Sequence, residues 1–159
     1  MYIIEPIAFV RNKRKKVEDD FWGDVVSEIT IIDKMPEESL KGIQEFSHLE
    51  IIFYFHLAND KKINILATHP RDNKEFPQVG IFAQRKKTRP NLLGSTIVKL
   101  INAEKNVLTV TGLDAVDGTP VIDIKPVLKD FLPDDKIKQP AWATELMKNY
   151  WKKSLLFVF

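Results

Sequence analysis

No cysteine occurs among the 159 residues. That removes disulfides, thiolate nucleophiles and cysteine-ligated zinc from the functions open to the chain, and it fits a reducing compartment. The cytoplasm is the expected location. No apolar run approaches the roughly 20 residues of a membrane span. The opening Met1-Tyr2-Ile3-Ile4-Glu5-Pro6 also lacks the charge, apolar stretch and small-residue order of a signal peptide. A soluble protein with no membrane partner is expected. Excess charge is scarce as well, since 24 Lys and Arg stand against 22 Asp and Glu, and composition alone does not announce nucleic acid. Histidines number three. His48 and His56 would lie about 26 Å apart on one straight strand at roughly 3.3 Å per residue, too far to share an ion. His48 beside Glu50 falls short of the three or four ligands zinc requires, so no metal is expected. His48 reads as a hydrogen-bonded structural residue, and His56, at a strand end, is open between structure and ligand contact.

What the near-neutral total conceals is clustering. Arg11, Lys13, Arg14, Lys15 and Lys16 fall within six positions, and Arg85, Lys86, Lys87 and Arg89 within five. The second cluster lies between apolar runs ending at Gln84 and resuming at Thr96, on a loop shaped by Pro90 and Gly94. It reads as a held anion or nucleotide site, with a solvated loop as the alternative. The first reads as the solvated tip of a hairpin, able to meet phosphates by releasing counterions.

A chain of this length makes one core, burying roughly two-thirds of its unfolded surface. Seven short runs rich in branched and aromatic residues, at 2–10, 25–32, 50–57, 79–83, 96–101, 107–113 and 120–124, are predicted strands. Seven short strands suggest a barrel or sandwich. Along 46–57, alternation puts His48, Glu50, Ile52, Tyr54 and His56 on one face and Leu49, Ile51, Phe53, Phe55 and Leu57 on the other. A short helix is predicted at Pro36-Glu37-Glu38, with Gly42 as an early stop, and a second over 141–153 after Pro140. In the second, Trp142, Leu146 and Tyr150 form one row and Ala143, Met147 and Trp151 the next, while Lys152 and Lys153 suit its C-terminal dipole. The stripe reads as core or subunit contact. Residues 129–139 are the only linker-like stretch, and no internal repeat or low-complexity segment is present.

A last constellation ends one strand at Leu113-Asp114-Ala115-Val116, turns through Asp117-Gly118 and launches Thr119-Pro120-Val121-Ile122-Asp123-Ile124-Lys125-Pro126. Asp114 and Asp117 flank a turn whose carboxylates and backbone donors can grip ribose hydroxyls or an amino group. An Asx-type turn with an Asp123 to Lys125 ion pair explains the same residues.

Gly80-Ile81-Phe82-Ala83-Gln84-Arg85, then Arg89-Pro90-Asn91 and Gly94, together with residues 113–126, resemble the two signature stretches of the TsaA-like family. Phe46-Ser47-His48-Leu49 with Phe55-His56 is similar to a third. The resemblance runs from Ile4 to Pro126 and implies a mainly β fold: a small antiparallel β-barrel of about seven strands, with a short helix and a C-terminal helix. The barrel domain would span 1–130, and 131–159 would be a helical extension packed on the barrel or on a partner. The family includes S-adenosylmethionine-dependent tRNA methyltransferases, so the resemblance implies S-adenosyl-L-methionine as cofactor, tRNA as partner, and a homodimer.

Carried onto this sequence, the cofactor would lie against His56, Leu57, Arg85, Ser95, Asp114, Ala115, Val116 and Asp117. Asp117 is the expected proton acceptor, and Arg89, Asn91, Arg11, Lys13 and Arg14 are expected to hold substrate. The chain departs from the family at 17–19, where a Pro-Arg-Gln stretch is expected and Val17-Glu18-Asp19 stands, and after 140, where the family's bacterial members often carry a further domain. Two other readings stay open: methylation of a small molecule or protein, and a non-catalytic RNA- or adenosylmethionine-binding barrel.

Overall fold

The structure, a computed structural model, describes residues 1–153. Six strands close a barrel: β1 (Ala8–Arg11), β2 (Val26–Ile31), β3 (His48–Tyr54), β4 (Leu93–Glu104), β5 (Val107–Thr111) and β6 (Pro120–Pro126). Their order around the barrel is β1-β2-β5-β4-β3-β6, with every pairing antiparallel. The period-2 pattern decides which face turns inward. In β2, Ser27, Ile29 and Ile31 are buried while Val26, Glu28 and Thr30 face out, and in β3 Leu49, Ile51 and Phe53 fill the interior. Val10, Val98, Leu108, Val110, Leu113 and Val121 complete the core. Closure leaves no sheet edge to seek a foreign strand.

The expected seventh strand at 79–83 is not one. Val79 makes a single bridge to Thr68, and Ile81–Ala83 forms a 3-10 turn in which Ile81 is buried and Phe82 exposed. Pro77 and Gly80 interrupt the run, and a short apolar stretch by itself does not distinguish a strand from a buried turn. The predicted first strand is shortened too, since residues 1–5 are exposed and pairing begins at Ala8. The predicted helix after Pro36 is two 3-10 turns, Glu37–Leu40 and Ile43–Glu45, separated by Gly42 at φ 83°. The second helix is α1 (Ala141–Leu146), and beyond it the chain continues in turns, so Lys152 and Lys153 do not sit on a helix end. The apolar tail Leu155-Leu156-Phe157-Val158-Phe159 lies outside the described residues.

Gly94 is inside β4, opposite Phe53, rather than in the loop it was expected to shape. A Cβ there would come within 2.5 Å of the Phe53 ring and 2.9 Å of Phe55. Those rings meet edge to face at 5.3 Å and 82°, so glycine is required by close approach.

Antiparallel order also fixes where the loops go. The β1–β2, β3–β4 and β5–β6 connections, residues 12–25, 55–92 and 112–119, all emerge at the same end of the barrel. β6 runs away from that end. Exposed residues 128–140 carry the chain back, where Phe21 and Trp22 donate backbone hydrogen bonds to the carbonyls of Asn149 and Tyr150, at 3.2 and 2.8 Å. Asn149 and Tyr150 are thereby bonded to the β1–β2 connection of their own chain.

Candidate functional site

The three loops at that end, with the adjoining strand residues Arg11 of β1 and Ser95 of β4, hold the expected cofactor and substrate residues. Asp114 leaves β5 just beyond the buried Leu113, half-buried itself. One of its carboxylate oxygens accepts from Thr96 Oγ1 and the other from the Tyr150 hydroxyl. Burial pushes the Tyr150 phenol well above its ordinary pKa, and the charge and hydrogen bond of Asp114 push it the same way, with Arg85 and Arg71 opposing. The hydroxyl is therefore a donor at any physiological pH. Arg85 donates to the carbonyl of Ser95, whose hydroxyl donates to Glu50 Oε1 at 2.6 Å. Arg85, Ser95, Asp114 and Tyr150 thus form one neighbourhood.

The rest of the 112–119 loop is held from behind. Asn12, buried, donates from Nδ2 to the Ala115 carbonyl at 2.8 Å and to Ser27 Oγ at 2.9 Å. Thr119 donates from its backbone N–H and its hydroxyl to the Val116 carbonyl, and Asp117 and Gly118 donate their N–H groups to Arg14 and Val10. His56 flanks the turn, its Nε2 3.8 Å from where a Gly118 Cβ would stand. Half-buried, its ring is held below the ordinary imidazole pKa by desolvation, so it is neutral at neutral pH. Leu57, next to it, is exposed.

Asp117 accepts from Lys15 Nζ at 2.6 Å and from the Asn12 N–H at 2.9 Å. Its pKa is lowered first by the Lys15 hydrogen bond and then by that of Asn12. A carboxylate held ionised in this way is a weaker proton acceptor than an ordinary one. Of the two readings of the 113–126 stretch, the ion pair of the second is present: Asp123 pairs with Lys125 and also accepts from the Ile124 N–H.

The basic runs divide into committed and free cations. Arg14 ion-pairs Glu18, donates to the carbonyls of Asp20 and Phe21 at 2.6 and 2.7 Å, and lies 4.3 Å from the centroid of the buried Trp22 ring. Its guanidinium is engaged within the fold, by Glu18, the Asp20 and Phe21 carbonyls and the Trp22 ring. Arg89 caps the Gln84 carbonyl at 2.8 Å, and Lys86 pairs with Asp72. Arg11, Lys13 and Lys87 are exposed and form no ion pair among the described residues. Asn91 is exposed in the same loop as Lys87, and His48 carries a 2.7 Å contact to Ser47 Oγ.

Four residues at this end were not among the expected site residues: Thr96, Asp20, Arg71 and Tyr150, the last read as core or subunit contact. Arg71 forks onto Asp20, 2.8 Å to Oδ1 and 3.3 Å to Oδ2, and lies 5.9 Å from the Tyr150 ring centroid. A cleft of about 230 Å³ opens beside it, lined by Asp20, Arg71, Phe76, Glu145 and Asn149 among others. A half-buried tyrosine on an apolar helical row was the available signal, because a buried phenol needs a hydrogen-bond partner.

Comparison with known proteins agrees with this architecture. Residues 16–132 match the family described as the tRNA-methyltransferase O N-terminal domain. A probable S-adenosyl-L-methionine-binding protein of Pyrococcus abyssi is 34% identical over 156 residues, covering 96% of this chain and 80% of that protein. The mouse tRNA (adenine(37)-N6)-methyltransferase is 41% identical over 96 residues, covering 60% of this chain and 22% of its own length. The crystal structure of TrmO from Pseudomonas aeruginosa superimposes with a TM-score of 0.68 at 26% identity, over 86% of this chain and 61% of that one. The chain thus spans about a fifth of the mouse enzyme and less than two-thirds of the crystallised one.

Proposed function

Because the chain belongs to the tRNA-methyltransferase O N-terminal domain family, we propose that it binds S-adenosyl-L-methionine at the three-loop end of the barrel and methylates tRNA, at N6 of threonylcarbamoyladenosine beside the anticodon. The observation that carries this reading is the convergence of Arg85, Ser95 and the Asp114 loop around one point, supported from behind by Asn12, Thr96 and Tyr150. The donor set suits the cofactor. Asp114 offers carboxylate charge toward a cation, Arg85 an exposed guanidinium toward a carboxylate, and Leu57 an exposed apolar surface toward a base.

Bound there, the cofactor supplies a sulfonium methyl. In the transfer a carbon–nitrogen bond forms as the carbon–sulfur bond breaks, S-adenosylhomocysteine leaves, and N6 gives up one proton. The protein's part is placement, which is worth up to roughly 7–11 kcal/mol when two reactants are held in line. Asp117, tied to Lys15, serves the rim of the site, and the N6 proton passes to water. Neutral His56 adds no charge beside the sulfonium. Arg11, Lys13, Lys87 and Asn91 face RNA phosphate and the threonyl carboxylate, while Arg14 and Arg89 shape the surface that presents them. The homodimer implied by the family resemblance draws support from exposed Phe82, Ile65 and Leu66 near the basic loop, and sedimentation velocity tests it.

Incubating the protein with methyl-labelled adenosylmethionine and total tRNA, followed by nucleoside mass spectrometry, tests the activity. Label in N6-methyl-threonylcarbamoyladenosine is expected, and label in another nucleoside would move the acceptor. The Pyrococcus relative, most of whose length this chain spans, carries a name for binding alone. That observation favours a second reading, a binding barrel without transfer. Calorimetric binding with no label in RNA, protein or small molecules would establish it.

A further inference from the structure

Tyr150 lies beyond the stretch that matches the family, yet its hydroxyl reaches Asp114 in the 112–119 loop. Taking the donor site as assigned above, we propose that Tyr150 is a positioning residue for Asp114, held in place by Arg71 and Asp20.

The Asp114 carboxylate has two side-chain donors, Thr96 from β4 and Tyr150 from the segment after α1. Thr96 is buried in the barrel wall and holds one oxygen. The carboxylate still turns about that single bond unless the second oxygen is held, and Tyr150 holds it from the opposite side. A phenol donor on an ionised acceptor is a strong hydrogen bond, and it is stronger away from water.

Tyr150 is itself fixed from three directions. Its carbonyl accepts from the Trp22 N–H at 2.8 Å, its ring meets Trp151 edge-on at 4.8 Å, and Arg71 lies over its face. Arg71 is aimed there by unusual backbone: Arg71 and Asp72 stand at φ 52° and 56°, left-handed values that cost non-glycine residues of order 1–3 kcal/mol. Such a turn persists only where its surroundings hold it, and here the Asp20 fork supplies the hold. Gly23 completes the seat. A Cβ at that position would lie 2.0 Å from the Trp151 carbonyl oxygen, so a glycine is what lets the segment approach. Asp20, Arg71, Tyr150, Asp114 and Thr96 therefore form one chain of contacts across five separate stretches of sequence.

Tyr150→Phe in the full-length protein is the test. It keeps the ring, the Trp151 contact and the backbone bonds, and it removes only the donor. The affinity for adenosylmethionine, by calorimetry, is expected to fall about tenfold, the scale of one hydrogen bond to a charged group. The melting temperature of the free protein is expected to fall by a few degrees, because the bond is already made there, while tRNA affinity stays at the wild-type value. Thr96→Val, which takes the other donor without touching the C-terminal segment, is expected to lower cofactor affinity in the same way. Unchanged cofactor affinity in Tyr150→Phe overturns the proposal, and so does a fall in both affinities alongside the melting temperature, which would mark a purely structural tyrosine. Failure of the wild-type protein to bind adenosylmethionine instead removes the donor site itself and withdraws both readings, an outcome visible before any variant is made.

Discussion

The two ends of the barrel are closed in opposite ways. At one, β4 and β5 are joined by a tight turn at Lys105 and Asn106, and the Asn106 side chain and carbonyl bond back to Ile31 of β2, at 3.1 and 2.8 Å. At the other, three long loops cross one another and are held by side chains: Asn12 on Ala115, Arg14 on Phe21, Thr96 and Tyr150 on Asp114. A cleft of about 270 Å³ lies toward the tight end, walled by Glu28, Asn102, Glu104, Lys105 and Thr109, residues of neighbouring strands and their turn. Volume alone does not mark a site. Polar groups brought in from separate stretches of chain and then locked do.

If that contrast is sound, Asp114→Asn at the loop end should have the largest effect. It removes the charge and unbalances both donors, and calorimetry should record about a hundredfold loss of adenosylmethionine affinity, in the range of two charged hydrogen bonds. A loss below threefold would break the comparison. Gly94→Ala comes next. It places a methyl 2.5 Å from the Phe53 ring, and overpacking of this kind costs about 1–3 kcal/mol, readable as a lower urea midpoint. Lys105→Gly, at the tight end, relieves a left-handed residue at φ 52°. It should raise stability by about 0.5 kcal/mol, net of the entropy glycine adds to the unfolded chain, and leave cofactor affinity at the wild-type value.

The smallest effect concerns pH. His56 is held below 6.5 in the fold, so as pH falls through 6.5 the unfolded chain takes up a proton before the native state does, and stability declines. His56→Gln should remove that part of the decline between pH 7.5 and 5.5, seen as a smaller difference between urea midpoints. Equal differences in wild type and variant would show that another group carries the slope.

The barrel was legible because alternation survives at the level of single strands. Leu49, Ile51 and Phe53 announce an inward face without help from the rest of the chain. Residues 79–83 misled for the same reason, since a short apolar run after Pro77 satisfies local rules for a strand while its one pairing among the described residues, to Thr68, is set by tertiary context. The loops that meet at the site could be listed from their motifs, and Arg85, Ser95 and Asp114 do come together. The contacts that hold them were hidden. Arg71, Asp20 and Tyr150 are unremarkable residues in sequence, and only closure of the barrel puts them side by side. The cations at 11–16 show the converse. Clustering predicts a field, and it does not tell which guanidinium the fold will keep, as Arg14 and its stacking on Trp22 demonstrate.

The exposed return of residues 128–140 along the barrel also has a consequence for synthesis. All six strands leave the ribosome before Tyr150 does, and domains generally fold in the order in which they emerge. A nascent chain can therefore close its barrel while Asp114 still lacks one of its two donors. The site is completed by the segment that arrives after every strand is in place, so a chain ending between 126 and 141 is expected to keep all six strands and lack one of the two donors to Asp114, read as weaker adenosylmethionine binding by calorimetry.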